Sequence, residues 1–98
     1  MQTLKVKKLS EDATIPTKSH PGDAGFDLYA SRDIELVSGQ VTLVPTNIAI
    51  SLPKTKDDEI KCYGRIAPRS GLSLKGINVY AGVVDEQYRG EIKVALLN

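Results

Sequence analysis

Apolar and polar residues alternate with a period of two along most of the chain. Leu4 and Val6 are interleaved with Lys5 and Lys7, Ile34 and Leu36 with Asp33 and Glu35, and Ile92, Val94 and Leu96 with Glu91 and Lys93. Successive side chains on a strand point to opposite faces, so this rhythm predicts strands with one face on a core and the other in water. The pattern returns at Val41/Leu43, at Ile48/Ile50/Leu52, and at Ile60/Cys62 with Tyr63 facing away. No stretch long enough for a helix carries a helical stripe. Turn residues punctuate the strands at Pro21-Gly22, Ser38-Gly39, Pro53-Lys54, Pro68 to Gly71, Gly76 and Arg89-Gly90. That spacing predicts an antiparallel sandwich or barrel, so the expected fold class is all-β. One short helical turn is expected over Ser70 to Lys75, with Ser70 as its cap and Gly76 as its stop.

The chain has 98 residues, which bounds it to a single domain, 1–98, with a modest core. Thirteen Lys and Arg face twelve Asp and Glu, a formal charge of +1, so no polybasic field exists to hold nucleic acid or an anionic membrane. Any anionic ligand must be met by a local cluster. The lone Cys62 excludes an internal disulfide framework and a cysteine-built zinc site, and it suits a reducing compartment. No apolar run approaches a membrane span, and the basic start is followed by Ser10, Glu11 and Asp12 rather than a signal-peptide core. A soluble protein of the cytoplasm or nucleus is expected. Mixed signs over Lys54 to Lys61 read as a solvated hairpin tip. The single His20 reads as a surface residue, and Cys62 as a small buried hydrophobe.

Three segments break the strand rhythm. In AGFDLYA, residues 24–30, Asp27 stands between Phe26 and Leu28 and is expected to point away from both. A carboxylate there either pairs with a basic group or holds the water shell of Mg²⁺, a cation that keeps several waters and takes few carboxylates. In GRIAPRSGLSLKGI, residues 64–77, Arg69, Ser70 and Gly71 bring a charged fork, a hydroxyl and an unshielded amide to a turn. That combination suits a phosphate, although a solvated Pro-Gly turn would contain the same residues. In AGVVDEQYRGEIKV, residues 81–94, a strand, a turn and a returning strand would carry Asp85 and Tyr88 at the tip. Asp85 could accept a proton from water and the Tyr88 ring could stack on a sugar or base; both residues are also ordinary turn material.

In this order the three segments resemble the first three motifs of the dUTPase family, and the resemblance covers nearly the whole chain. It implies a jelly-roll-like antiparallel β domain of the β-clip kind, assembled as a homotrimer whose sites are shared between subunits. It implies Mg²⁺-dependent hydrolysis of dUTP to dUMP and pyrophosphate, with Mg²⁺ bound mainly through the triphosphate and Asp27 reaching it only through water. Asp85 becomes the base that deprotonates the attacking water. Arg69, Ser70 and Gly71 become the phosphate grip, the backbone at Gly82, Val83 and Val84 the reader of the uracil edge, and Tyr88 the ring that leaves no room for a 2′-hydroxyl. The family's fourth and fifth motifs have no counterpart before Asn98, so the domain is expected to be truncated at its C-terminal strand and tail. Two alternatives stay open: the related dCTP deaminase branch, for which Glu86 is poorly oriented, and a non-catalytic nucleotide-binding or partner-binding module of the same fold.

Overall fold

Alternation becomes hydrogen-bonded structure in short pieces. The computed structural model describes residues 3–54 and 62–98. Among them lie strands β1 (Lys5–Lys8), β2 (Val41–Pro45), β3 (Ile48–Ser51), β4 (Gly64–Arg65), β5 (Asn78–Tyr80), β6 (Val83–Val84) and β7 (Lys93–Leu97), and one helix, α1 (Ser70–Leu74). Every ladder is antiparallel. β1 pairs with β3, β7 lies between β2 and β5, and β4 pairs with β6, giving three separate sheets. The all-β reading therefore holds. The strand expected at Ile60 and the loop over 55–61 fall outside the described residues.

Several expectations need correction. The stretch around Ile34 and Leu36 joins no ladder; its Leu36 carbonyl accepts a hydrogen bond from the Asn98 side chain instead. Val41 and Leu43 face outward, 56% and 60% exposed, while Val44 is buried. Alternation fixes which residues share a face but not which face is wet, and here Val44 and Thr46 hold the inner one. Cys62 is part-buried and outside any strand. Ser70 does not cap α1. Arg69 occupies the cap position with extended backbone and no side-chain capping bond, and Ser70 is the first helical residue. Gly76 does end the helix, at φ +86°. Its N–H donates to Ser73 O at 3.0 Å and that of Ile77 to Leu72 O at 3.1 Å, the paired closure that a left-handed glycine permits.

The core gathers Ala13, Ile48, Val84 and Ile92, with Val6, Leu28, Ile50 and Ile66 packed against it. A corner at Thr46 and Asn47 carries the chain from β2 in one sheet to β3 in another, and Asn47 makes the turn at φ +55°, a conformation Asn tolerates better than most residues. The buried Thr46 hydroxyl donates to the Ile92 carbonyl. The Ile92 N–H donates to Ile48 O at 2.8 Å, and the Asn47 N–H donates to Glu91 Oε2 at 3.2 Å. The corner is thus stitched to residues 91 and 92. Thr46→Val keeps the shape but leaves the Ile92 carbonyl without its donor, a loss of about 1–3 kcal/mol. Thr46→Ser keeps the donor and should lose less. Urea unfolding of both variants checks this: equal midpoints would remove the hydroxyl from the account.

Candidate functional site

The chain leaves β5 through two consecutive left-handed residues, Ala81 at φ +58° and Gly82 at φ +90°. Gly82 accepts a hydrogen bond from Ile66 N–H at 2.7 Å, and a Cβ at Gly82 would stand 2.9 Å from the Ile66 carbonyl oxygen. Both the dihedral and the close approach require glycine. Beyond it, Val84 buries its side chain in the core while Val83 is 63% exposed. The backbone of Gly82 to Val84 is thereby held between the core and β4, opposite Gly64 and Arg65. β6 does not pair with β7. The expected hairpin is instead a turn between strands of two different sheets.

That turn is braced from within. Tyr88 N–H donates to Asp85 O at 3.1 Å, and the Arg89 guanidinium donates to Glu86 O at 2.7 Å and to Tyr88 O at 3.1 Å. The Tyr88 hydroxyl donates to the Glu91 carbonyl at 2.8 Å. Gly82, Val83, Val84, Asp85 and Tyr88 all line one concavity of about 360 Å³. Asp85 also borders a second hollow of about 500 Å³, with Lys54, Tyr63, Glu86 and Arg89. Glu86 lines only the latter, so it does not share Tyr88's concavity.

The first and second segments meet in an adjoining cavity, which shares Ile66, Val84 and Ile92 with the concavity beside Asp85. Asp27 and Arg69 line a cavity of about 630 Å³ whose walls are largely apolar, including Leu28, Ile66 and Leu72. Asp27 N–H donates to Thr17 O at 2.7 Å, and its Oδ2 accepts the Ser19 hydroxyl at 2.6 Å. Phe26 is 53% exposed, with Lys18 Nζ lying 5.0 Å from its ring centre, while Leu28 packs on the core. Phe26, Asp27 and Leu28 nonetheless line the same cavity. Ser70 and Gly71 follow Arg69 into the first turn of α1 and are exposed, lining none of these hollows. His20 is a surface residue, as expected, with Nδ1 3.6 Å from Asp23.

One chain thus carries the candidate residues in two groups. Asp85, Tyr88 and the Gly82 to Val84 backbone form one, and Asp27 with Arg69 the other. Among the described residues no set of three or more His, Cys, Asp or Glu side chains could hold a metal ion by itself. Asp27 and Arg69 line the same cavity, so a carboxylate able to accept hydrogen bonds from the water shell of Mg²⁺ and a cationic fork are both available there. No helix of the described residues is long and apolar enough to cross a membrane. Pattern reading missed Asn47, Gly90 and Glu91 as supports of the turn. Their roles depend on contacts across the chain or over a ring, which alternation does not report.

Comparison with known proteins agrees with the motif resemblance. The dUTPase family model matches residues 11–98. Deoxyuridine 5′-triphosphate nucleotidohydrolase of vaccinia virus (strain Copenhagen) is 50% identical over 91 residues, covering 93% of this chain and 58% of its own length. The same named protein of monkeypox virus is 50% identical and covered over 56%. Among solved structures, a dUTPase from phage phi11 of S. aureus, described with a structural Mg(II) ion, superposes at a TM-score of 0.85 with 30% identity, over 98% of this chain and 60% of that one. Staphylococcus bacteriophage 80alpha dUTPase with dUPNHPP superposes at 0.85 with 29% identity, over 98% and 54%. The chain therefore spans less than two thirds of the length of these relatives. Since the family match runs over residues 11–98 and its three motif segments line the candidate hollows, the chain belongs to the dUTPase family.

Proposed function

We propose that the protein carrying this chain hydrolyses dUTP to dUMP and pyrophosphate, removing dUTP from the nucleotide pool of the cytoplasm or nucleus before uracil enters DNA. The carrying observation is the convergence of Asp85, Tyr88 and the Gly82 to Val84 backbone on one concavity. Backbone groups of Gly82, Val83 and Val84 would read the uracil edge, favouring it over cytosine by donor and acceptor order. Tyr88 would lie against the deoxyribose and leave no room for a 2′-hydroxyl. Asp85 would take a proton from the water that attacks the α-phosphorus, as the bond to the departing pyrophosphate breaks. Mg²⁺ bound with the triphosphate would supply charge neutralisation. Arg69, Ser70 and Gly71 would grip the phosphates, and Asp27 would accept hydrogen bonds from water around them.

Asp27 and Arg69 line one cavity and Asp85 and Tyr88 another, and a shared site, in which one subunit's third segment faces the first and second of a neighbour, would bring both groups to one nucleotide. A homotrimer meets that need. The exposed Val41, Leu43, Tyr80 and Val83 offer apolar surface that assembly would cover.

Pyrophosphate release from dUTP, dCTP and UTP by the full-length protein tests the reading. Release from dUTP exceeding that from the other two by at least roughly 100-fold is expected for a site that reads both base and sugar. Ammonia release from dCTP would favour the deaminase branch. Nucleotide binding without turnover would favour a non-catalytic module.

A further inference from the structure

Gly90 is a glycine without a left-handed backbone: the positive-φ glycines are Gly39, Gly76 and Gly82. Freedom of φ is therefore not what its missing side chain supplies. A Cβ at this position would lie 2.6 Å from the Tyr88 hydroxyl oxygen, 2.8 Å from Cζ and 3.2 Å from Cε1. The Tyr88 ring lies across Gly90, and its hydroxyl reaches the Glu91 carbonyl at 2.8 Å. That acceptor is itself fixed. Glu91 Oε2 receives the Asn47 N–H at 3.2 Å, and the next residue is held by Ile92 N–H to Ile48 O at 2.8 Å and by the Thr46 hydroxyl.

We propose that Gly90 is a positioning residue for sugar selection: its bare Cα is the seat on which the Tyr88 ring rests, and the Glu91 carbonyl is the anchor that holds it there. This rests on the reading of Tyr88 as the deoxyribose platform. The three atoms nearest such a methyl group all belong to the outer part of the Tyr88 side chain, so the ring moves rather than the backbone. The displaced ring no longer closes the space where a 2′-hydroxyl would sit. Selectivity against the ribonucleotide falls, while the fold keeps its contacts.

The test is a double-mutant cycle in the full-length protein, with kcat/KM measured for dUTP and for UTP. Gly90→Ala should lower the dUTP-to-UTP ratio by roughly tenfold or more, the scale on which small misplacements act. In a Tyr88→Ala background, where no ring remains to displace, adding Gly90→Ala should leave the ratio where Tyr88→Ala put it. A role confined to folding would depress both substrates alike and in both backgrounds, which would overturn the proposal. A normal ratio in Gly90→Ala beside a collapsed one in Tyr88→Ala would overturn the Gly90 assignment alone. A normal ratio in Tyr88→Ala would overturn the platform reading and this inference together. Should Gly90→Ala fail to fold, Tyr88→Phe removes the anchor to Glu91 and leaves the seat intact. Its ratio should fall several-fold, and an unchanged ratio would overturn the proposal.

Discussion

Asp85→Asn in the full-length protein is expected to lower dUTP turnover by roughly 10²- to 10⁴-fold, the usual worth of a positioned general base. Asn preserves size and turn-forming character, so the Tyr88 N–H to Asp85 O bond should survive the substitution. What disappears is the ability to take a proton. Dissociation of dUTP should change little, because on the proposed reading the Gly82 to Val84 backbone and Arg69 would still meet the nucleotide. Glu86→Gln is the internal control, since Glu86 lines only the neighbouring hollow, and it should keep most of its turnover. If Asp85 instead shapes the turn or anchors Mg²⁺, the Asn variant would unfold more readily or need more Mg²⁺. Near-normal turnover at saturating Mg²⁺ would take Asp85 out of the chemistry.

Ile48→Ala is expected to be the most damaging of the core truncations. Ile48 is 1% exposed and lies in the cluster with Ala13, Val84 and Ile92, while its carbonyl accepts the Ile92 N–H. The backbone bond fixes the two segments at their spacing, so the space left by the side chain cannot easily collapse. Such truncations cost about 2–5 kcal/mol, a large share of the roughly 5–15 kcal/mol that holds a typical domain together. With urea slopes of about 1–3 kcal/mol per molar, the midpoint should fall by on the order of 1 M or more. Ile50→Ala, at a partly buried position, should fall by less. Equal and small shifts for both would mean that the core is not centred on Ile48.

Local signals carried much of this architecture in plain view. Gly76 stops α1 because only its own φ and the two bonds behind it are involved. Val94 and Leu96 line the apolar cavity while Lys93 and Ala95 line the concavity beside Asp85, so the alternation along β7 does separate its two faces. Failures began where a distant partner decides. Val41 and Leu43 alternate as a buried pair would, yet Val44 beside the Thr46 corner claims the interior. β6 looks like half of a hairpin with β7, yet it pairs with Gly64 and Arg65. For the candidate site, Asp85, Tyr88 and Gly82 were legible as a motif. The bonds that hold their turn to Asn47 and Thr46 were not, because nothing in the local pattern at 46 and 47 points to 91 and 92.

The stitched corner also has a history during synthesis. Its bonds from Asn47 to Glu91 and from Thr46 to Ile92 close loops of 44 and 46 residues. At translation rates of about 5–20 residues per second, Thr46 and Asn47 leave the ribosome several seconds before their partners. Throughout that interval β2 has no β7 to pair with, and its outward Val41 and Leu43 join an unpaired edge open to other chains. The turn bearing Asp85 and Tyr88 therefore cannot be anchored until both ends of these loops are available and the corner closes.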